Sequence, residues 1–339
     1  MTDLTLHIGS NKTGTTYIQG ALSAGDGVLA EAGVGYPVVG RAQSGAHHFL
    51  AGQVAERMPR AFKPKQPFEQ FLGELKQELL VLQGRGLTRV LISSESMFLL
   101  RNKNLERLQQ FLALFENVTV VVYLRRQDKF LPSFYNSLVR TGMSPPTFDE
   151  FCRNQGASYL PNLDAWSALV GQGRVLVRPF ERCYWRGDTL VDEFLATCDI
   201  PLHAENLPVP QAVNESLSLA AIDILRAAGP RKRVERWDRF ARFVDANVPP
   251  SEPGAEPTLM TEAIYRKLKR RFHAENLELG RRYMAPEAVQ ALAFDDDYEP
   301  AGPVHEQSLP VSAAAVLVAL WKKHLRAVDA PAAPKDAPI

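Results

Sequence analysis

Residues 4–8, 89–93, 118–124 and 174–177 are short runs rich in apolar and β-branched residues, set apart by stretches with helical spacing. The first run passes through a Gly/Ser/Asn/Thr cluster into a helical pattern at 15–22. The second precedes residues 104–115, where Leu105, Leu108, Phe111, Leu112 and Phe115 recur at the spacing of one helix face. The third, VTVVVYL, reads as a strand covered on both faces. Behind it Asp128 is placed to N-cap a helix whose first turn tolerates Pro132. Residues 190–197 supply a fourth helix. Strands alternating with helices predict an α/β fold with a mostly parallel central sheet and right-handed crossovers. Ligands in such sheets bind beyond the C-terminal strand ends, so chemistry is expected just after residues 8, 94 and 124.

The chain has 339 residues, room for about two domains or one large α/β domain with insertions. Lys+Arg (39) against Asp+Glu (38) leaves a net charge of +1. That argues against a protein that coats nucleic acid or an anionic membrane, but a local anion site remains compatible with it. No run of about 18 apolar residues predicts a transmembrane helix, so no integral membrane contact is expected. The start, MTDLTLHIGS, reads as a strand and not as a signal peptide. Cys152, Cys183 and Cys198 are odd in number and lack a C-x-x-C spacing. A dense disulfide framework or a cysteine zinc site is therefore excluded, and a reducing, cytoplasmic setting is expected. Cys183 and Cys198 are expected to be buried small hydrophobes.

From about Pro208 the strand signals vanish. Residues 216–228 and 261–283 read as helices, 249–257 (PPSEPGAEP) as a Pro-rich connection, and 329–339 as a tail too poor in large apolar residues to order itself. The expected organisation is a core over 1–205, a helical C-terminal part of the same domain over 206–328 on the acceptor side, and a disordered tail over 329–339.

The segment His7–Gln19, HIGSNKTGTTYIQ, carries the chemistry. Gly9 and Gly14 allow tight turns, and the amides entering the next helix converge on one spot that favours phosphate or sulfate. Thr13, Thr15 and Thr16 add hydroxyls and Lys12 a point charge. The spacing approaches G-x-x-x-x-G-K-[ST], but Thr15 holds the lysine position and Lys12 lies two residues before Gly14. The third strand ends in Leu124-Arg125-Arg126, without an aspartate to help hold Mg²⁺. Phosphate binding survives this comparison, and Mg-dependent ATP hydrolysis does not fit well.

K-T-G-T-T after a strand resembles the phosphosulfate loop of sulfotransferases that use 3′-phosphoadenosine 5′-phosphosulfate (PAPS). Those enzymes bind the 3′-phosphate with an arginine ending a strand and a serine eight residues on; Arg125 and Ser133 stand at that spacing. Gln127 stands where many relatives have proline, and Arg126 is a neighbouring rival that the register of eight disfavours. The segments VRPFERC and 214–219 are similar to bacterial members. The resemblance implies a P-loop-like three-layer fold, PAPS as donor, adenosine 3′,5′-bisphosphate as product, and no required metal. It further implies Lys12 on the phosphosulfate, Thr13, Gly14, Thr15 and Thr16 around the 5′-phosphate, and Arg125 with Ser133 on the 3′-phosphate.

An acceptor hydroxyl needs a general base. Glu95, in ISSESMF after the second strand, is the first candidate, since carbohydrate sulfotransferases of similar layout place a glutamate there; its other reading is a helix cap or ion-pair partner. His47-His48 is the rival: His48 reads as base or acceptor contact, His47 less so, and a structural role is open for both. His7, inside the first strand, is expected in the core. The basic runs 231–233 and 267–271 read mainly as solvated faces, and Trp166, Trp185 and Trp237 as core. The expected activity is sulfuryl transfer from PAPS to a hydroxyl of a saccharide or small metabolite. The alternatives are a nucleotide kinase or other NTPase with an altered loop, or a catalytically silent nucleotide-binding relative. No nucleic-acid partner is expected.

Overall fold

The computed structural model describes residues 2–54, 60–99, 105–208, 217–231, 234, 236–248, 258–299, 302–305, 317–323 and 325. The expected Pro-rich connection 249–257 and tail 329–339 lie outside the described residues.

The chain opens with β1 (Asp3–His7), α1 (Thr15–Ala24), α2 (Asp26–Glu31), β2 (Val34–Gly35), α3 (His48–Val54) and α4 (Phe68–Gly84). It continues through β3 (Arg89–Ser93), α5 (Leu105–Leu112), β4 (Val118–Leu124), α6 (Gln127–Arg140), α7 (Phe148–Asn154), α8 (Leu160–Val170), β5 (Val175–Pro179) and α9 (Leu190–Thr197). The helices α10 (Leu219–Ala228), α11 (Trp237–Asn247) and α12 (Glu262–Tyr283) follow. The five strands form one sheet in the order β2-β3-β1-β4-β5, all parallel. Leu4 of β1 pairs Val90 on one side and Val118 on the other, so β3 and β4 flank β1 directly. The chain fills one side of β1 first and then the other, and such a reversal opens a crevice at the strand ends.

The chain divides into two compact units. The first comprises Met1–Gln127, Ala157–Asn214 and Lys269–Asp296 and contains the whole sheet. Period-two alternation sends Leu4, Leu6, Val90, Ile92, Val120 and Val122 into one core and Leu91, Val121 and Tyr123 into another on the opposite face. α4, α5 and α8 cover the first face with Phe71, Leu75, Phe111 and Trp166, while α1 and α9 cover the second with Ile18, Leu22, Leu190 and Phe194.

The second unit comprises Asp128–Gly156, Glu215–Leu268 and Asp297–Ile339. Tyr135, fully buried, donates its hydroxyl to Pro146 O (2.8 Å) and packs on Phe148 and Phe151. Trp237 donates its indole N–H to Arg140 O (2.8 Å). The division is discontinuous in sequence. The second half of α12 belongs with the sheet, because Leu279 and Tyr283 join its core.

Several local expectations shift. β2 is a fifth strand of two residues, too short to leave a pattern. α6 starts at Gln127, so Asp128 is a first-turn acid and not the N-cap, and Pro132 lies inside the helix, leaving the Asp128 carbonyl without its i+4 amide donor. Arg174 belongs to a turn before β5. Cys183 is exposed in a turn beyond β5, whereas Cys152 and Cys198 are buried. Trp166 and Trp237 are core residues, and Trp185 packs at the margin of the α1–α9 core. No helix among the described residues is long and apolar enough to cross a membrane.

Candidate active site

The loop from Gly9 to Gly14 joins β1 to α1 at the crevice. Gly9 (φ 56°) and Gly14 (φ 70°) adopt left-handed conformations, and each is closely approached by neighbours. A Cβ on Gly9 would stand 2.8 Å from Glu95 Cβ, and one on Gly14 would stand 2.2 Å from Leu190 Cδ2. The first contact sets the loop against the end of β3; the second seats it on α9, whose start is fixed by the reciprocal Thr189–Asp192 capping box.

Lys12 also has positive φ (67°), a conformation it shares with Asp199 and Arg236 and one that costs a non-glycine residue on the order of 1 kcal/mol or more. Thr13 is fully buried, and its hydroxyl donates to Ser10 O (2.7 Å), so this hydroxyl closes the loop from within and only its amide is left to serve a ligand. Thr15 is buried in the first turn of α1, and Thr16 is exposed. No side chain among the described residues caps α1. Ser10 Oγ is buried without a partner among the described residues. An uncapped helix start, an orphaned hydroxyl and a lysine in a left-handed turn fit a phosphate-bearing ligand.

Arg125 and Arg126, beyond β4, are held differently. Arg126 forms a two-point ion pair with Asp296 (2.6 and 2.9 Å), donates to Ala293 O and lies over the Phe294 ring. Arg125 has its guanidinium 5.7 Å from the centre of the Phe180 ring, and its carbonyl accepts the Tyr159 hydroxyl (2.7 Å). Phe180 also lies 3.3 Å from the Gly14 Cβ position, so one ring stands between the loop and Arg125. Gln127, buried, exchanges amide hydrogen bonds with Asn276 (2.8 and 3.2 Å) and donates to Ala157 O, a role proline could not fill. Ser133 is half-buried on α6 in the second unit.

Glu95 opens a 3-10 turn after β3 that is anchored by buried Met97 and Phe98. Its Oε2 accepts from Gln19 Nε2 (2.8 Å), and its Oε1 lies 3.7 Å from His48 Nε2. His48 Nδ1 shares a hydrogen bond with Ser94 Oγ (3.0 Å). The side chains of His48 and Glu95 are 12% and 18% exposed, enclosed but reachable. The same Gln19 Nε2 reaches Ser93 Oγ (3.2 Å), which hydrogen-bonds His7 Nδ1 (2.8 Å).

The two adjacent histidines separate here. His47 is fully buried: Nδ1 accepts from the Ser93 amide (3.2 Å), which makes Nε2 the protonated nitrogen that donates to Pro37 O (2.9 Å). Burial lowers its pKa to about 4, so it is a neutral structural residue with both nitrogens engaged. His7 is likewise buried, against Phe194, and desolvation lowers its pKa to about 3.

Glu95, the loop and Arg125 thus stand at the ends of three adjacent strands, β3, β1 and β4. Gln19 and Phe180 join the site without belonging to either sequence motif. Gln19 had a signal, a polar residue on the core-facing stripe of α1 beside Ile18 and Leu22; Phe180 had only its position at the end of β5. Set beside known protein families and curated proteins, the chain finds no match.

Proposed function

We propose that the protein is a PAPS-dependent sulfotransferase that moves a sulfuryl group to an acceptor hydroxyl of a saccharide or small metabolite and releases adenosine 3′,5′-bisphosphate. One observation carries the reading. A lysine-bearing anion loop is packed against a glutamate at the adjacent strand end, with Gly9 making the close approach possible. The parallel sheet covered by helices on both faces, with this loop after β1, supports a P-loop-like three-layer fold.

In this reading the amides of Gly14, Thr15 and Thr16 hold the 5′-phosphate, with Thr13 contributing its amide. Lys12 lies by the bridging oxygen. Arg125 binds the 3′-phosphate, steered by Phe180, and Ser133 joins it on the strength of its spacing alone. The bond from sulfur to the phosphate oxygen breaks, with its electron pair staying on the phosphate, as the acceptor oxygen bonds to sulfur. Lys12 offsets the charge that grows on the leaving oxygen. The acceptor proton passes to Glu95 Oε1, because Oε2 is already occupied by Gln19. The 3.7 Å between Oε1 and His48 Nε2 is too long for a direct hydrogen bond and wide enough for one hydroxyl to touch both. Sulfuryl transfer moves less charge than phosphoryl transfer, so positioning and fixed charges supply the catalysis.

A thermal-shift series tests the donor half of the proposal. Adenosine 3′,5′-bisphosphate without Mg²⁺ is expected to raise Tm, and Mg·ATP to do less. Stabilisation by Mg·ATP alone would move the protein to the NTPase class. Labelled PAPS screened against a panel of hydroxyl acceptors tests the transfer, and donor binding without transfer to any of them would leave a silent relative.

A further inference from the structure

A cleft of about 270 Å³ opens beside the helix that carries His48. Phe49 and Gln53, one turn apart on α3, form one wall; Lys63 and Lys65 form the rim; Phe71 and Val39 close the apolar side. The volume suits a single ring, at the small end of ligand pockets. Phe49 is held in place by its amide, which donates to Gly40 O (3.0 Å).

The charge is asymmetric. Lys63 and Lys65 are exposed, and neither meets a carboxylate among the described residues. Lys65 Nζ lies 5.4 Å from the centre of the Phe49 ring, so a cation stands over an aromatic face at the mouth of the cleft. The acid of the lining, Glu74, has its two oxygens engaged by the side-chain amides of Gln66 (2.9 Å) and Gln70 (3.1 Å). Two lysines against one carboxylate leave the lining net positive, and the carboxylate oxygens are turned to the two amides.

The cleft is also tied to the proton-handling pair. Phe62 packs on Phe49 (5.6 Å between ring centres) and on His48 (4.7 Å), so one ring forms the partition between cleft and imidazole. We infer that this cleft is an acceptor subsite for a hydroxylated ring bearing a carboxylate, with the ring on Phe49 and the carboxylate on Lys63 and Lys65. In an acceptor seated there, a hydroxyl on the next unit passes Phe62 to reach His48 and Glu95. Uronic-acid sugars and hydroxy-aromatic acids share this chemistry. The link to Glu95 rests on the sulfuryl-transfer reading, whereas binding in the cleft does not.

The test is an NMR titration of the full chain, saturated with adenosine 3′,5′-bisphosphate, using methyl β-glucuronide, 4-hydroxybenzoate and neutral methyl β-glucoside. At least one acid is expected to bind, to shift Phe49 signals, and to lose affinity tenfold or more in the Lys63→Gln/Lys65→Gln variant; the glucoside is expected to bind more weakly and equally to both proteins. Preference for the glucuronide assigns a saccharide source, and preference for the benzoate an aromatic one. Both lysines are exposed, so the variant keeps its fold, which its Tm verifies. Absence of acid binding, or undiminished binding in the double variant, overturns the inference. Loss of bisphosphate binding in the unmodified protein with the acid still bound would instead overturn the sulfotransferase reading and leave the cleft as an acid-binding site.

Discussion

The two strands beside β1 end in opposite chemistry. Past β4 stand two arginines, one locked to Asp296 and one lying along Phe180. Past β3 stand a carboxylate and an imidazole, joined through Gln19 and Ser94 to the strand and to the loop helix. The loop between them touches both sides, Glu95 through Gly9 and Phe180 through Gly14. One sheet edge is thus divided into a half suited to hold anions and a half suited to move a proton. Binding and chemistry should therefore be separable by mutation.

Glu95→Gln is the sharpest attempt to break this division. Turnover of PAPS with an acceptor should fall about 10³-fold, while calorimetric affinity for adenosine 3′,5′-bisphosphate stays the same. A parallel loss of affinity would mean that the β3 side also binds the donor. Lys12→Ala should lower single-turnover rate about 100-fold with a smaller effect on donor affinity, since its charge is needed most as the leaving oxygen develops. Arg125→Ala should weaken bisphosphate binding roughly 10–100-fold, the worth of a charged hydrogen bond. Arg126→Ala should leave affinity intact and lower Tm, because its partners are Asp296 and Ala293. The reverse outcome for the two arginines would transfer the donor role to Arg126.

Gln19→Leu probes the seam. It should cost about tenfold in kcat with donor affinity unchanged, by releasing Glu95 Oε2. A drop in donor affinity with kcat intact would assign Gln19 to the binding half. The smallest effect concerns stability. His7 and His47 have folded pKa values of about 3 and about 4, below the ordinary 6.5, so the unfolded chain binds more protons between those values. Stability is full above 6.5 and declines as pH falls toward 4, by about 1 kcal/mol per histidine between pH 6 and 5. Urea unfolding at both pH values measures the slope, and equal stability at both would mean that these imidazoles are protonated in the fold.

What was legible in the sequence follows from range. β3, β4 and α9 begin and end where the local pattern of apolar and β-branched residues places them, because these are local signals. The turns of the loop were legible because left-handed backbone falls to glycine, here at positions 9 and 14. The pairing of His48 with Glu95, 47 positions apart, depends on how α3 is laid beside β3, and no local pattern encodes that. Nor does composition distinguish His47 from His48. One is closed off by Pro37 and Ser93, the other faces a carboxylate, and a single residue of helix register separates the two outcomes. Arg125 and Arg126 are the same case on the other side of β1: only the position of Asp296, 170 residues on from Arg126, tells them apart.

β2 pairs with β3 only at Arg89 and Val90, which leaves the last residues of β3 without a strand on that side. Residue 47 takes the place of the missing strand. Its amide donates to Ser93 O (2.7 Å), and its imidazole accepts from the Ser93 amide, so the pair reproduces a rung of sheet pairing with a side chain standing in for a peptide group. Both residues are fully buried, so replacing His47 by a residue that cannot accept a hydrogen bond strands the Ser93 amide inside the protein, and the loss should appear first as a lower Tm and only afterwards as lost activity.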